Sequence, residues 1–205
     1  ALGDNRFLGI YTDNEPAASG GIWDRISAVQ NLDQALLNQD SQAIPEHLNA
    51  AWDLLGSTAL AAPFSRIFSA RLFAAELDAE TMQLAAKIAL LSPIYEEAAQ
   101  KIEPKSDFEK LWIAIAKGKF SDHDPKSQLY KTIKDAFQDP RVPYSANNLM
   151  GQAKLGEVIL NAMIQFEKGA AGDLQDLLEA LSTLRFIGLE DTAKRAALSL
   201  VLLGR

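Results

Sequence analysis

Two histidines, His47 and His123, are the chain's only imidazoles, and neither has a second histidine at helical ligand spacing. A zinc or iron centre is therefore not expected, because such sites draw on two or more imidazole or thiolate ligands set close together. Asp122-His123-Asp124 offers two carboxylates beside an imidazole, a set able to hold a metal or move a proton. It directly precedes Pro125, however, and an acidic cap followed by proline in a first turn explains the same residues. The acid pairs Glu96-Glu97 and Glu190-Asp191 have the residue type for general acid-base work. Neighbours on a helix point in different directions, so neither pair can converge on one substrate, and a solvated face or helix cap is expected. Gly169-Ala170-Ala171-Gly172 lacks the lysine and the preceding strand of a phosphate cradle, and reads as a turn before an Asp173 cap. No serine lies in a strand-turn-helix elbow. With no cysteine there is no disulfide framework, thiolate nucleophile or Cys-ligated zinc. No catalytic residue, metal ligand or cofactor is expected from these patterns.

Charge gives the one positive indication. The 205 residues carry a net charge of −7, which argues against sequence-independent phosphate binding. The distribution is uneven: residues 1–100 sum to −8, residues 101–134 to +3 and residues 135–205 to −2. Lys117, Lys119, Lys126, Lys131 and Lys134, with Arg141 and Tyr144 beyond, are the candidate partner-binding residues. A solvated face explains the same cations, and their spacing does not place them all on one helix face. Trp23, Trp52 and Trp112 fall on apolar stripes and read as core anchors.

The elements that must position these residues are helices. Ile22, Ile26, Val29, Leu32 and Leu36 recur at steps of three or four, as do Leu48, Trp52 and Leu55 after Pro45. A third helix opens at Pro63 and a fourth at the Asp78 cap, and Ser92-Pro93 starts a new short one. Ser106 and Glu109 have capping-box spacing ahead of the stripe Phe108, Leu111, Trp112 and Ile115, which Gly118 stops. Leu129, Tyr130, Ile133 and Phe137 form the next stripe after Pro125, and residues 139–148 are expected as a loop. Leu149, Ala153, Gly156, Leu160 and Met163 are then expected as the next apolar stripe, followed by Leu174–Leu184 and Ala193–Leu203.

No alternating β-branched run appears, so the fold class is all-α: antiparallel helical hairpins stacked as a right-handed solenoid-like array or a compact multi-helix bundle. Residues 1–21 read as an irregular lead-in, and residues 22–205 as a single helical domain of about nine helices. No run reaches the length of about 18 apolar residues that spans a bilayer. A soluble chain of a cytoplasmic or periplasmic compartment is expected, and because it begins at Ala1 a mature form or a domain of a larger protein is expected too.

Residues 51–72 laid on residues 180–201 match Ala51 with Ala180, Leu55 with Leu184, Leu60 with Leu189 and Arg66 with Arg195. Both stretches read as one helix, a tight turn and a second helix. The first resembles a tetratricopeptide repeat through Trp52, Leu55 and Gly56, with Ala59 where that family has tyrosine and Phe68 where it has a small residue. The second keeps Leu184 and Ala197. The resemblance implies stacked helical hairpins and binding of a protein partner. The expected function is thus a non-catalytic protein-protein interaction or scaffolding domain, with a homo-oligomer possible and nucleic acid not expected as partner. An enzyme or small-ligand-binding bundle with a dispersed site is the alternative.

Overall fold

A computed structural model of the chain describes residues 21–120 and 127–204. All secondary structure among these residues is helical, so the fold is all-α. The chain divides into two compact units, Ala1–Glu103 and Pro104–Arg205. The expected lead-in lies outside the described residues except for Gly21, which caps α1 at φ 77°.

The first unit holds α1 (Ile22–Leu37), α2 (Ala43–Leu55), α3 (Ala61–Ala74), α4 (Ala79–Ala89) and α5 (Tyr95–Lys101). α1 pairs with α2, α3 with α4, and α4 with α5. Leu32, Leu48, Leu55, Phe68, Leu72 and Ile88 are fully buried in one core built from α1 to α4. Core residues recur at steps of three or four within a helix, as in Ile44, Leu48, Ala51 and Leu55 of α2 and Phe64, Phe68 and Leu72 of α3, which gathers them on one side. The Asp78 carboxylate accepts from the Thr81 amide at 2.8 Å and the Thr81 hydroxyl at 2.9 Å, fixing the start of α4. One buried hydroxyl ties α3 to α4, since Ser65 Oγ donates to the Ile88 carbonyl at 2.5 Å, while Ser69 Oγ donates within α3 to the Ser65 carbonyl at 2.6 Å. Gly56 is the C-cap of α2, and a Cβ there would stand 2.7 Å from the Trp52 ring, so the glycine four residues after Trp52 has a local steric cause.

The second unit holds α6 (Asp107–Lys117), α7 (Gln128–Gln138), α8 (Tyr144–Gly151), α9 (Leu155–Ala170), α10 (Leu174–Phe186) and α11 (Glu190–Leu203). α10 lies at its centre, packed by α9, α7 and α11, while α6 packs on α11. Fully buried Leu177, Ala180 and Leu181 of α10 form the middle of this core. The expected capping box at α6 forms with a shift of one residue: Ser106 Oγ takes the Glu109 amide at 3.2 Å, but the Glu109 carboxylate takes the Lys105 amide at 2.6 Å. Asp173 caps α10 as expected, accepting from the Gln175 and Asp176 amides.

Several boundaries differ from the sequence expectation: α2 begins at Ala43 and α3 at Ala61, each two residues ahead of the proline expected to open it, so that proline falls in the first turn. Residues 144–148, expected as loop, open α8, because Pro143 is preset for the position that precedes a helix. The stripe expected to run unbroken from Leu149 to Met163 is cut after Gly151, where Ala153 takes a left-handed conformation at φ 59° before α9 begins. Eleven helices result among the described residues, where about nine were expected.

The aligned stretches 51–72 and 180–201 both contain the predicted helix, turn and helix. The likeness extends one helix further, since α1, α2 and α3 have 16, 13 and 14 residues and α9, α10 and α11 have the same three lengths.

Candidate interaction surface

The basic residues singled out in the sequence lie in the second unit. Lys117 ends α6, and Lys119 follows the left-handed Gly118. Lys126 lies outside the described residues, as do Asp122, His123 and Asp124. Lys131 and Lys134 sit on α7 at i and i+3, Arg141 in the connection to α8, and Tyr144 at the first position of α8, where it is 85% exposed. Phe120 brings two of these segments together. Its ring lies 6.5 Å edge-on from Tyr130 and 5.5 Å from Phe137, and Gln138 Nε2 donates to its carbonyl at 3.4 Å. Tyr130, Lys134 and Phe137 fall at i, i+4 and i+7, so Phe120 is docked on the edge of α7 that carries Lys134.

Carboxylates are interleaved with these cations: Asp139 pairs with Arg141 at 3.6 Å, and Asp107 with Lys110 at 3.1 Å. Burial, chiefly, and then the Asp107 charge push the Tyr130 hydroxyl above its ordinary pKa, an effect that Lys110 partly offsets. Tyr130 is therefore neutral at physiological pH and is no proton acceptor there.

In the first unit a cavity of about 420 Å³ opens where the ends of α1 and α3 meet the start of α2. Leu36, Ile44, Ala74 and Ala75 supply apolar walls, with Gln39, Ser41, Arg71 and Glu76 as its polar members. The Arg71 guanidinium is committed to its own fold, donating to the Asp33 carboxylate at 2.5 Å and to the Asp33 carbonyl at 3.2 Å while lying over Phe68. Among the described residues no group of three or more His, Cys, Asp or Glu is placed to hold a metal.

A different surface stands out on α9. Gly169 and Ala162 face α10, and α10 comes so close that a Cβ on Gly169 would stand 2.7 Å from the Leu177 backbone. The two helices run antiparallel, with Gln165 Nε2 donating to the Glu179 carboxylate at 2.9 Å. Val158, Ala162 and Gly169 are the buried residues of α9, whereas Leu160, Met163 and Ile164 are 58%, 57% and 47% exposed. The apolar stripe that the sequence marks through Leu160 and Met163 is therefore not the face that packs inward. α9 is apolar around most of its circumference, so periodicity alone does not fix the inward face. The readable signal was the small pair Ala162 and Gly169, seven residues apart, where another helix approaches closely. The exposed side chains sit at i, i+3 and i+4 and form one patch, which sequence reasoning missed as a candidate.

No helix among the described residues is long and apolar enough to cross a membrane. Comparison of the chain with known protein families, with curated proteins and with solved structures finds no match.

Proposed function

We propose that this chain is a non-catalytic helical interaction domain whose α9 face binds a protein partner. The observation that carries the proposal is the patch of Leu160, Met163 and Ile164, three large apolar side chains on adjacent turns that the fold leaves outside. A helix presenting apolar anchors at i, i+3 and i+4 is suited to lie against another helix or in a groove. Completing the burial of three half-exposed side chains yields about 3 kcal/mol in all, enough for a contact of modest affinity once association entropy is met. The basic residues of α6 and α7 are a separate surface, and salt distinguishes the two: an apolar contact tolerates high salt, while a contact through Lys131 and Lys134 weakens.

The test is site-specific photo-crosslinking of the full chain in its native cells, with benzoylphenylalanine in place of Met163 and, as control, in place of exposed Asn49. A discrete adduct from position 163 that survives high salt and is missing from position 49 is the expected result. Equal adducts from both positions, or none from position 163, would overturn the proposal.

A further inference from the structure

We infer that the occupant of the α9 face is α9 of a second copy of this chain, packed antiparallel about a two-fold axis; this rests on the reading of α9 as a binding face. The charges that border the patch carry the argument. Glu157 and Lys168 are eleven residues apart, three helical turns, so they lie within about 20° of each other on the same edge of the stripe formed by Leu160 and Ile164. A two-fold axis perpendicular to the helices reverses their ends and keeps edge against edge. Each Glu157 then meets Lys168 of the second copy, and the contact gains two identical ion pairs that no single copy contains.

The rest of the face agrees. Glu167, on the same exposed side, is carried toward the first turn of α9 in the second copy, where Gly156 has no side chain and no atom lies within 4 Å of where a Cβ would stand. Lys154, Glu157, Glu167 and Lys168 balance to zero, so two such faces meet without the repulsion expected between copies of a chain with net charge −7. Lys154 lies 3.5 Å from Glu157 in an exposed pair, which leaves that carboxylate accessible to a second cation. Comparison within the chain removes a structural need for the patch. Counted from the first helical residue, the positions in α1 that correspond to Leu160, Met163 and Ile164 are Ser27, Gln30 and Asn31, and α1 packs on α2 with polar residues there.

The experiment is sedimentation velocity on the full chain from about 1 μM to about 500 μM, the span over which a contact of this size should dissociate. A monomer-dimer equilibrium is expected, abolished by Met163→Glu with the far-ultraviolet helical signal unchanged. Glu157→Lys or Lys168→Glu alone should weaken the dimer about tenfold, and the two together should restore it. A monomer throughout, a dimer indifferent to Met163→Glu, or single reversals that the double variant does not rescue would overturn the inference. Photo-crosslinking from position 163 separates this failure from that of the broader reading. A monomeric chain that crosslinks to a different protein refutes self-association and leaves the interaction face standing, whereas a monomeric chain with no adduct refutes both.

Discussion

Replacing either helical glycine of α9 with alanine should change stability in opposite directions. Gly156 and Gly169 lie on one helix, and the substitution adds the same methyl group and the same helix propensity, about 0.5–1 kcal/mol in favour of folding. At Gly156 nothing lies within 4 Å of the new Cβ, so the propensity gain is the whole effect. At Gly169 the new Cβ would stand 2.7 Å from Cα, Cβ and N of Leu177, where ordinary contact begins at 3.4 Å. Backbone atoms cannot rotate aside, so α9 and α10 must part by about 0.7 Å along their contact, which opens gaps in a packed interface. Overpacking of this kind costs about 1–3 kcal/mol, and subtracting the propensity gain leaves Gly169→Ala destabilised by about 0–2.5 kcal/mol, with the backbone contact at 2.7 Å placing it toward the upper end. Urea denaturation followed by circular dichroism at 222 nm reads both effects on one scale. In thermal melts, a unit of about 100 residues should lose about 4–8 °C for each kcal/mol. If Gly169→Ala matched or exceeded the parent chain in stability, the close α9-α10 approach would be refuted, and with it the assignment of Leu160, Met163 and Ile164 to the outer face.

Two further perturbations test other joints. Arg185→Met should destabilise the second unit by about 2–3 kcal/mol, because the guanidinium donates to the Ala136 carbonyl at 3.0 Å and to the Phe137 carbonyl and lies 4.9 Å above the Phe137 ring. Arg185→Lys should recover only part of that loss, since one guanidinium nitrogen serves both carbonyls while the planar group lies over Phe137, and a lysine ammonium keeps the charge but has no flat face to stack on the ring; urea midpoints within error of the parent would exclude the joint. Asp78 is held below the usual carboxylate range, first by the Thr81 amide and then by the Thr81 hydroxyl. Its charged form is favoured in the fold, so its contribution is complete above the unfolded-state pKa and is lost as pH falls below about 4. Asp78→Asn should flatten that acid limb in melting temperature measured against pH, and an unchanged limb would refute the capping role.

Much of the architecture is legible in the sequence, and the reasons are local. Helix stops at Gly56 and Gly118 and starts at Asp78, Ser106 and Asp173 depend on bonds or contacts within a few residues, so nearest-neighbour chemistry is sufficient to place them. The all-α class follows from apolar spacing in the same way. The repeat is partly legible: matched residues located two helix-turn-helix stretches, while the agreement in length of three successive helices emerged only from the structure.

What the sequence could not decide is which way an ambiguous helix turns. Along α9, apolar residues occupy both sides, and the choice between Leu160 inward and Ala162 inward depends on how near another helix can come. That is a property of the partner, since Leu177 of α10 takes up the space a side chain at Gly169 would need. The sequence by itself thus determined the helices, most of their ends and the absence of any recognisable catalytic pattern, because those depend on short-range bonding and residue chemistry. Only the tertiary structure decided that the small residues of α9 pack inward and the large ones outward, because close packing is a relation between segments that no spacing within one segment records.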